Sequence, residues 1–467
     1  MTKIAIEFND ATLVAVGPNG VLGNSLGQEP GYAAINDGMP FFGIAALQQA
    51  RLRPCETWNR FWRELSSDPL PAAAGPCATS ADLAHAHLQS LWDDWSRGVT
   101  GVICAVPGYW SQEQLGLLLG IAEELGIPVI GMVDAAVAAT RCRYEADDLL
   151  DIDASLHDLS VTRIKQDGGA SIDGRQSIGG IGIERLERVC VEHIAALFLQ
   201  QTRFDPLHDA ASEQALYDRL GGWLRSLQRS GSIVATLERG GEEYEVRVKR
   251  GDLAAVLQSS VEPLMQQLRS RLTSGRTVAV QVSDRLAGFP GIIDAFDGMT
   301  GVATFVLGPA AAPRGALSRA GQFAGGNGGV TFKTSLQWDQ AAAGIAVSDR
   351  VERTVQSGDV PTHVLYAGRV FRLGPEPLTI GCEIANGEYG IRLPAGHEGV
   401  SRRHCSIRVG QNGTELIDHS RFGTRLNGHV IDKSAVLRAG DTIGIGEPSV
   451  DLVIVTESTP EHTGDDA

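Results

Sequence analysis

The chain has 467 residues, which is too long for one ordinary hydrophobic core and predicts two to four domains. Hydrophobic residues make up 43% of it and charged residues 21%, as in ordinary globular proteins. The formal net charge of -16 argues against a non-specific nucleic-acid binder, because such a protein needs a basic surface.

The hydrophobic runs and the cysteine spacing argue against a membrane-spanning or disulfide-bonded protein. No uninterrupted apolar run is long enough to cross a bilayer, and the N-terminus shows no signal-peptide arrangement. The seven cysteines include no Cys-x-x-Cys pair, which fits reduced thiols better than a disulfide framework or a structural zinc site. We therefore expect a cytoplasmic protein that inserts in no membrane, binds no nucleic acid and has no metal site.

Strand and helix patterns alternate through the first three quarters of the chain. The predicted strands are residues 4–8, 11–16, 100–106, 127–133, 148–153, 159–164 and 278–282. Between the third and fourth strands, Ser111 and Gln114 form a capping box that opens a helix, so this stretch predicts a parallel βαβ unit. The other predicted helices are residues 82–95, 135–139, a long amphipathic one after Gly179-Gly180, and one from Asp339. The Gly-, Ala- and Pro-rich residues 307–330 predict a loop.

From about residue 363 the pattern becomes all-β, with polar motifs between the strands. Val400-Ser401-Arg402-Arg403-His404 is followed by Asp418-His-Ser-Arg-Phe-Gly-Thr424, by Asn427-Gly428, and by Gly440-Asp-Thr-Ile-Gly-Ile-Gly446. Hydroxyl, guanidinium and amide groups on loops suit a phosphate, because charge-assisted hydrogen bonds to it are short and strong. This ordered set resembles a forkhead-associated (FHA) domain, a family of all-β sandwiches that read phosphothreonine.

The FHA resemblance implies roles for individual residues. Ser401 is expected to donate its hydroxyl to the phosphate, and Arg402 to reach it from the next position. Thr424 lies in a second binding loop, and Asn427 is expected to hold the peptide backbone. The residues implied as structural support are Gly381, His404 and Gly428.

One position departs from the FHA pattern. The family's first loop normally reads Gly-Arg, and that arginine is a main phosphate contact, but this chain has Gly381-Cys382. A hydrogen bond to a charged group contributes about 1.5–3 kcal/mol, so its loss weakens binding roughly ten- to a hundredfold unless Arg402, Arg403 or Arg421 takes over. The alternative is a sandwich kept for docking or dimerisation, in which Ser401 and Asn427 serve only loop structure.

The order of elements over residues 3–358 and three short motifs carry a second resemblance. Ala105-Val-Pro-Gly-Tyr-Trp110 is similar to Val-Pro-Ala-Tyr-Phe, Gly179-Gly180 to Gly-Gly-Glu-Asp-Phe-Asp, and Asp339-Gln-Ala-Ala-Ala-Gly to Asp-Glu-Ala-Val-Ala-Tyr-Gly. These are segments of the ATPase domain of the seventy-kilodalton heat-shock chaperones. The resemblance implies an actin-like, ribonuclease-H-like duplicated α/β fold around a nucleotide cleft.

The loops that hold ATP in that family have changed here. Its first loop, Asp-Leu-Gly-Thr-Thr, matches Glu7-Phe-Asn-Asp-Ala11, and its second, Asp-Leu-Gly-Gly-Gly-Thr, matches Asp151-Ile-Asp-Ala-Ser-Leu156. The glycines that let backbone N–H groups approach phosphate are gone. Asp10 and Asp153 would repel a triphosphate unless a metal intervened. We therefore predict a pseudo-ATPase with no cofactor.

The opposite interpretation also has support in the sequence. Glu7, Asp134 and Asp151 remain acidic and could organise Mg²⁺ and a water for ATP hydrolysis. The resemblance would then give nucleotide contacts to Gly179, Gly180 and Arg285.

Together these features predict an adaptor, not an enzyme, that recruits a threonine-phosphorylated protein. The predicted parts are an actin-fold domain at 1–358, a linker at 359–362, an FHA domain at 363–456 and a disordered tail at 457–467. One alternative is an ATPase whose nucleotide state controls FHA binding, and another is a structural subunit with both sites inactive. The sequence defines neither the partner nor an oligomeric state.

Overall fold

The computed structural model describes most of the chain as two compact units, Met1–Val351 and Glu352–Ala467. The described residues are 2–23, 29–272, 276–323, 329–340 and 361–455, the last range without 367–368, 375, 385–387, 394–398, 411–412, 427–428, 432, 438–440 and 447–449. Most of the predicted helix from Asp339, part of the predicted linker and the predicted tail lie outside them.

The first unit contains both strands and helices. Its strands are β1 (Thr2–Asn9), β2 (Thr12–Gly17), β3 (Gly20–Val21), β4 (Ala33–Asn36), β5 (Met39–Phe42), β6 (Thr57–Trp58), β7 (Pro69–Ala74), β8 (Cys77–Thr79), β9 (Val99–Val106), β10 (Val129–Asp134), β11 (Asp148–Ala154), β12 (Asp158–Lys165), β13 (Gly169–Gly179), β14 (Ser232–Arg239), β15 (Glu242–Lys249), β16 (Val278–Val282), β17 (Val302–Val306), β18 (Phe332–Lys333) and β19 (Ser335–Gln337). Its helices are α1 (Gly43–Leu47), α2 (Ser80–Trp95), α3 (Gln112–Glu124), α4 (Ala135–Ala139), α5 (Ile183–Thr202), α6 (Ala210–Ser230), α7 (Arg250–Arg271), α8 (Asp284–Ala287), α9 (Ile292–Asp297) and α10 (Ala311–Ser318), with 3₁₀ turns at Pro54–Glu56 and Ala320–Phe323.

One mixed sheet of this unit has the order β18-β10-β9-β1-β2-β3. β1 pairs antiparallel with β2 and parallel with β9, and β9 pairs parallel with β10. The predicted βαβ unit is therefore confirmed as β9-α3-β10. The capping box of Ser111 and Gln114 opens α3, and the last six residues of β9 are buried, as a continuous apolar run in a parallel sheet requires.

A second mixed sheet has the order β17-β16-β11-β12-β13-β19. β11 pairs antiparallel with β12 and parallel with β16, which pairs parallel with β17. The series β3-β2-β1-β9-β10 of the first sheet therefore corresponds strand for strand to β13-β12-β11-β16-β17 of the second. In each series two antiparallel pairings are followed by two parallel pairings. The first unit is an α/β structure in which this arrangement occurs twice.

Helices and aromatic side chains fill the cores beside these sheets. α5, predicted after Gly179-Gly180, buries Leu186, Ile194 and Phe198 in the core of the second sheet. The prediction of a loop over 307–330 was wrong, because α10 occupies Ala311–Ser318. Pro313 lies in the first turn of α10, where the missing backbone N–H costs no helical hydrogen bond.

The second unit is a β sandwich. Its strands are β20 (His363–Tyr366), β21 (Arg369–Arg372), β22 (Leu378–Gly381), β23 (Gly390–Arg392), β24 (Cys405–Gly410), β25 (Gly413–Asp418), β26 (Arg425–Leu426), β27 (His429–Val430), β28 (Ser434–Leu437), β29 (Thr442–Ile445) and β30 (Val450–Val455). They form sheets of order β21-β20-β30-β29-β26-β27 and β23-β22-β24-β25-β28. One core joins the sheets, with Ile380 and Ile407 from one and Ile443 and Leu452 from the other. Ser401–His404 lies directly before β24, Asp418–Thr424 begins at the end of β25, and Gly381-Cys382 lies at the end of β22.

Candidate functional site

The loop before β24 presents Ser401 and is held by His404. The Ser401 backbone N–H donates to Nδ1 of His404 at 3.1 Å. His404 is fully buried, and burial lowers its pKa because it disfavours the charged imidazole. A neutral imidazole has one nitrogen that accepts, so His404 supports the Ser401 loop.

The loop after β22 lies directly against the Ser401 loop. The N–H groups of Cys382 and Glu383 donate to the carbonyls of Ser401 at 3.3 Å and Arg402 at 3.0 Å. A Cβ atom at Gly381 would overlap the Arg402 carbonyl oxygen, so only glycine permits this approach. Gly381 thereby sets the position of the Ser401 backbone.

The loop after β25 is organised around Asp418. Its Oδ1 accepts from the Ser420 N–H at 2.9 Å and from the Thr424 hydroxyl at 2.6 Å. Burial alone would raise the pKa of Asp418, but these hydrogen bonds outweigh burial and hold it below its usual value. Thr424 is 0% exposed, so it shapes the loop, and its predicted contact with a peptide would require the loop to open.

A hydrogen bond to the Ser401 hydroxyl joins the loops before β24 and after β25. The Arg421 backbone N–H donates to Oγ of Ser401 at 3.2 Å. Because the Ser401 oxygen accepts this bond, its own hydroxyl proton remains to be donated to a ligand. The side chains of Arg402, which directly follows Ser401, and of Arg421 are both exposed. The result is a surface with one hydroxyl donor and two guanidinium groups.

The structure brings together most of the residues predicted for this site. Ser401, Arg402 and Thr424 lie on adjoining loops, whereas Asn427 and Gly428 lie outside the described residues. The Ser401–Arg421 bond was not predicted, because the two residues are twenty positions apart and the bond uses a backbone N–H.

The carboxylates predicted for an ATPase meet in a cleft between the two sheets of the first unit. Glu7 lies on β1, Asp151 on β11, and Asp134 caps α4 by accepting from the Ala136 N–H at 3.0 Å. Burial raises the pKa of Glu7 and Asp134, and burial together with the charge of Asp153 raises the pKa of Asp151 to about 8. Ionisation of these buried carboxyl groups therefore carries a large unfavourable desolvation free energy.

Two arginines, Arg175 on β13 and Arg285 on α8, pair with carboxylates of the first sheet. Nη2 of Arg285 lies 2.5 Å from Oε1 of Glu7, and Nη2 of Arg175 lies 2.6 Å from Oδ2 of Asp134. A Cβ atom at Gly108 would overlap the Arg175 guanidinium, so glycine makes room for it. Arg285, predicted as a possible nucleotide contact, forms an internal ion pair with Glu7.

The two hairpin loops that face the cleft are bonded to each other. Nδ2 of Asn9 donates to the Ala154 carbonyl at 3.2 Å, and the Leu156 N–H donates to Oδ1 of Asp10 at 2.6 Å.

Further along the cleft, the N–H of Gly180, a residue predicted as a nucleotide contact, donates to Oδ1 of Asp158 at 3.2 Å. The adjacent Gly179 ends β13. The cavity between the sheets has a volume of about 30 Å³, far below the roughly 300–1,000 Å³ of small-molecule sites.

Comparison with known proteins identifies one part of the chain. Residues 378–446 match the model of the FHA domain family. No curated protein matches the sequence. Among the described residues, no helix is long and apolar enough to cross a membrane, and no group of three or more His, Cys, Asp or Glu side chains is arranged to hold a metal ion. The second unit therefore contains an FHA domain, a module whose family binds phosphothreonine-containing proteins.

Proposed function

We propose that this protein is an adaptor that recruits a threonine-phosphorylated partner through its FHA domain. The observation that carries the proposal is the bond from the Arg421 N–H to Ser401, because it joins the serine hydroxyl to a loop that carries a cation. A phosphate seated there would receive the Ser401 hydroxyl proton and charge-assisted hydrogen bonds from guanidinium groups.

Arg421 is the best replacement for the arginine that Cys382 displaces. Nε of Arg402 lies 4.0 Å from the Glu383 carboxylate, which offsets part of its charge. Burial and the positive charge of Arg403 lower the pKa of His419, so Arg403 lies near that imidazole. The Arg421 backbone, by contrast, is fixed beside the Ser401 hydroxyl.

Binding of the full chain to phosphothreonine peptide libraries tests this proposal. We expect capture of a degenerate phosphothreonine library but not of its unphosphorylated counterpart. Ser401→Ala and Arg421→Gln should each weaken capture by roughly ten- to a hundredfold, because each removes a hydrogen bond to a charged group. The matched controls are Ser434→Ala and Arg408→Gln, which change exposed residues on β28 and β24. Equal capture of both libraries would refute the proposal that the FHA domain recognises phosphothreonine.

For the first unit we propose an actin-like fold that serves as a platform and does not hydrolyse ATP. The fold is supported by the strand order that occurs in both sheets, and the lack of turnover by the arginine pairs in the cleft. The guanidinium groups of Arg175 and Arg285 supply the positive charge that a bound metal would otherwise bring to these carboxylates.

A nucleotide-binding regulator remains the second candidate, favoured by one observation. Oε2 of Glu7 is buried and has no hydrogen-bond partner among the described residues. Such an atom is costly unless a ligand, an ion or water satisfies it. Thermal unfolding of the full chain with and without Mg-ATP separates the candidates, because a ligand that binds only the folded state raises its melting temperature. The platform predicts no change, and a rise of several degrees would favour the regulator.

A further inference from the structure

A buried histidine joins the two halves of the first unit, one half being built on each sheet. His157 lies between β11 and β12 and is 6% exposed. Its Nε2 lies 3.0 Å from the Asn59 carbonyl oxygen, and its Nδ1 lies 3.3 Å from Oε2 of Glu184 on α5. Asn59 directly follows β6, and the nearby Trp62 packs in the core of the first sheet, whereas α5 packs on the second. The imidazole therefore connects one half with the other.

Both atoms that face the ring nitrogens are hydrogen-bond acceptors. The Asn59 carbonyl has no proton to donate, and the hydrogen bond from His157 lowers the pKa of Glu184, so that this carboxylate is ionised at neutral pH. Only the protonated imidazolium donates from both nitrogens. Burial alone would lower the pKa of His157, but the hydrogen bonds to Glu184 and Asn59 outweigh burial and raise it. The contacts of His157 are therefore those of the charged ring.

Other charged groups near the ring come from both halves. Asp10, in the turn between β1 and β2, favours the proton on the imidazole, and Arg60, shortly after β6, opposes it. Next to the ring, Nη2 of Arg63 lies 2.5 Å from Oδ2 of Asp158, in a second ion pair that joins the same two halves. A guanidinium keeps its charge at physiological pH, whereas an imidazole changes charge near neutral pH. The two bridges therefore differ in how they respond to acidity.

We propose that the proton on His157 stabilises the closed arrangement of the two halves, and that the cleft opens more often once this proton is lost. The neutral ring has one N–H, so it can donate to Asn59 or to Glu184 but not to both. In an open form the ring has its ordinary pKa of 6.5, whereas in the closed form the pKa is higher. The stabilisation is therefore fully present below about pH 6.5 and is lost as the pH rises through the higher value. It applies whether or not the FHA domain binds phosphothreonine.

Two measurements on the full chain test this proposal. An NMR titration of ¹³C-labelled histidine, with the His157 signal assigned from His157→Gln, should give a pKa above 6.5. Hydrogen exchange of the Leu156 N–H, which donates to Oδ1 of Asp10 across the cleft, reports opening after correction for the intrinsic exchange rate at each pH. Between about pH 6 and about pH 9, opening should increase about tenfold for each unit by which the pKa exceeds 6.5. All chains carry Asp151→Asn, because Asp151 titrates in the same range.

Three variants assign the effect to this histidine. His157→Gln cannot be protonated and should remove the pH dependence of opening. Glu184→Gln removes the charge that favours the proton and should move the midpoint of opening to lower pH. His208→Gln changes an exposed histidine and should alter neither measurement.

Several results would overturn the proposal. A His157 pKa at or below 6.5, or opening that does not change with pH, would show that the closed form does not favour the proton. A pH dependence that survives His157→Gln would assign the effect to another group. If His157→Gln does not fold, a midpoint that stays in place in Glu184→Gln would overturn the proposal in its stead.

Discussion

In the cleft of the first unit, each central arginine faces a carboxylate of the same chain, whereas the arginines beside Ser401 project from the surface. Arg285 and Glu7 have side-chain exposures of 14% and 3%, while Arg402 is 86% exposed. Arginines, which commonly bind phosphate, therefore occur both in the cleft and beside Ser401. Only those beside Ser401 have a positive charge that is exposed to an incoming ligand. The availability of a charge, more than the residue type, separates a binding site from a structural one.

The largest effect is expected from breaking the buried pair of Arg285 and Glu7. Arg285→Ala should lower the free energy of unfolding by about 3–5 kcal/mol, because it leaves a buried carboxylate without its partner. Urea unfolding followed by tryptophan fluorescence measures this in the first unit, since all seven tryptophans lie there.

The control for Arg285 is a surface pair in the same unit. Arg250 lies 2.7 Å from Asp294, with side-chain exposures of 36% and 59%. Arg250→Ala should cost less than about 1 kcal/mol. Equal losses for the two variants would show that the cleft pair is no more buried in solution than a surface pair.

The charge on Asp151 should make the first unit less stable as the pH rises. Burial raises its pKa from 3.8 to about 8, so the folded state binds a proton that the unfolded state has lost. Between these values stability falls as the pH rises, by at most about 1.4 kcal/mol per pH unit for one proton. Asp151→Asn should flatten the decline in the urea midpoint between about pH 6 and about pH 8. An unchanged slope would mean that Asp151 ionises normally.

A substitution at Gly108 tests whether the Arg175 side chain fills the cleft beside it. Gly108→Ala should destabilise the first unit by about 1–3 kcal/mol, because the new methyl group overlaps the guanidinium. In an Arg175→Ala background the same change should cost less, because only the overlap with Oδ2 of Asp134 then remains, and a double-mutant cycle on urea unfolding measures the difference. The same loss of unfolding free energy in both backgrounds would show that the Arg175 guanidinium does not lie beside Gly108.

The smallest effect is expected at the FHA surface. Glu383→Gln removes the carboxylate 4.0 Å from Arg402 and should strengthen phosphopeptide binding by at most about fivefold, since the pair is exposed. Fluorescence anisotropy of a captured phosphopeptide measures it. Glu415→Gln on β25 is the matched control, and weaker binding by Glu383→Gln would indicate that Glu383 itself contacts the peptide.

Local features were predictable from the sequence, and contacts between distant segments were not. The capping box of Ser111 and the short helix at 135–139 follow from adjacent residues, and the FHA loops follow from ordered motifs. The pairing of Arg285 with Glu7 joins residues 278 positions apart, and no spacing rule connects them. The helix α10 was missed because its Gly- and Pro-rich surroundings are typical of loops.

The arginines of the cleft have a consequence for what the first unit can sense. A diffusible ligand stabilises a protein in proportion to the logarithm of its concentration once that exceeds the dissociation constant. Arg175 and Arg285 belong to the chain, so they are present at one fixed local concentration in every molecule. In the platform function that we propose, a unit closed by its own side chains keeps the same conformation whether nucleotide is abundant or scarce. Any switching of this protein by a ligand would then depend on the phosphorylation of its partner.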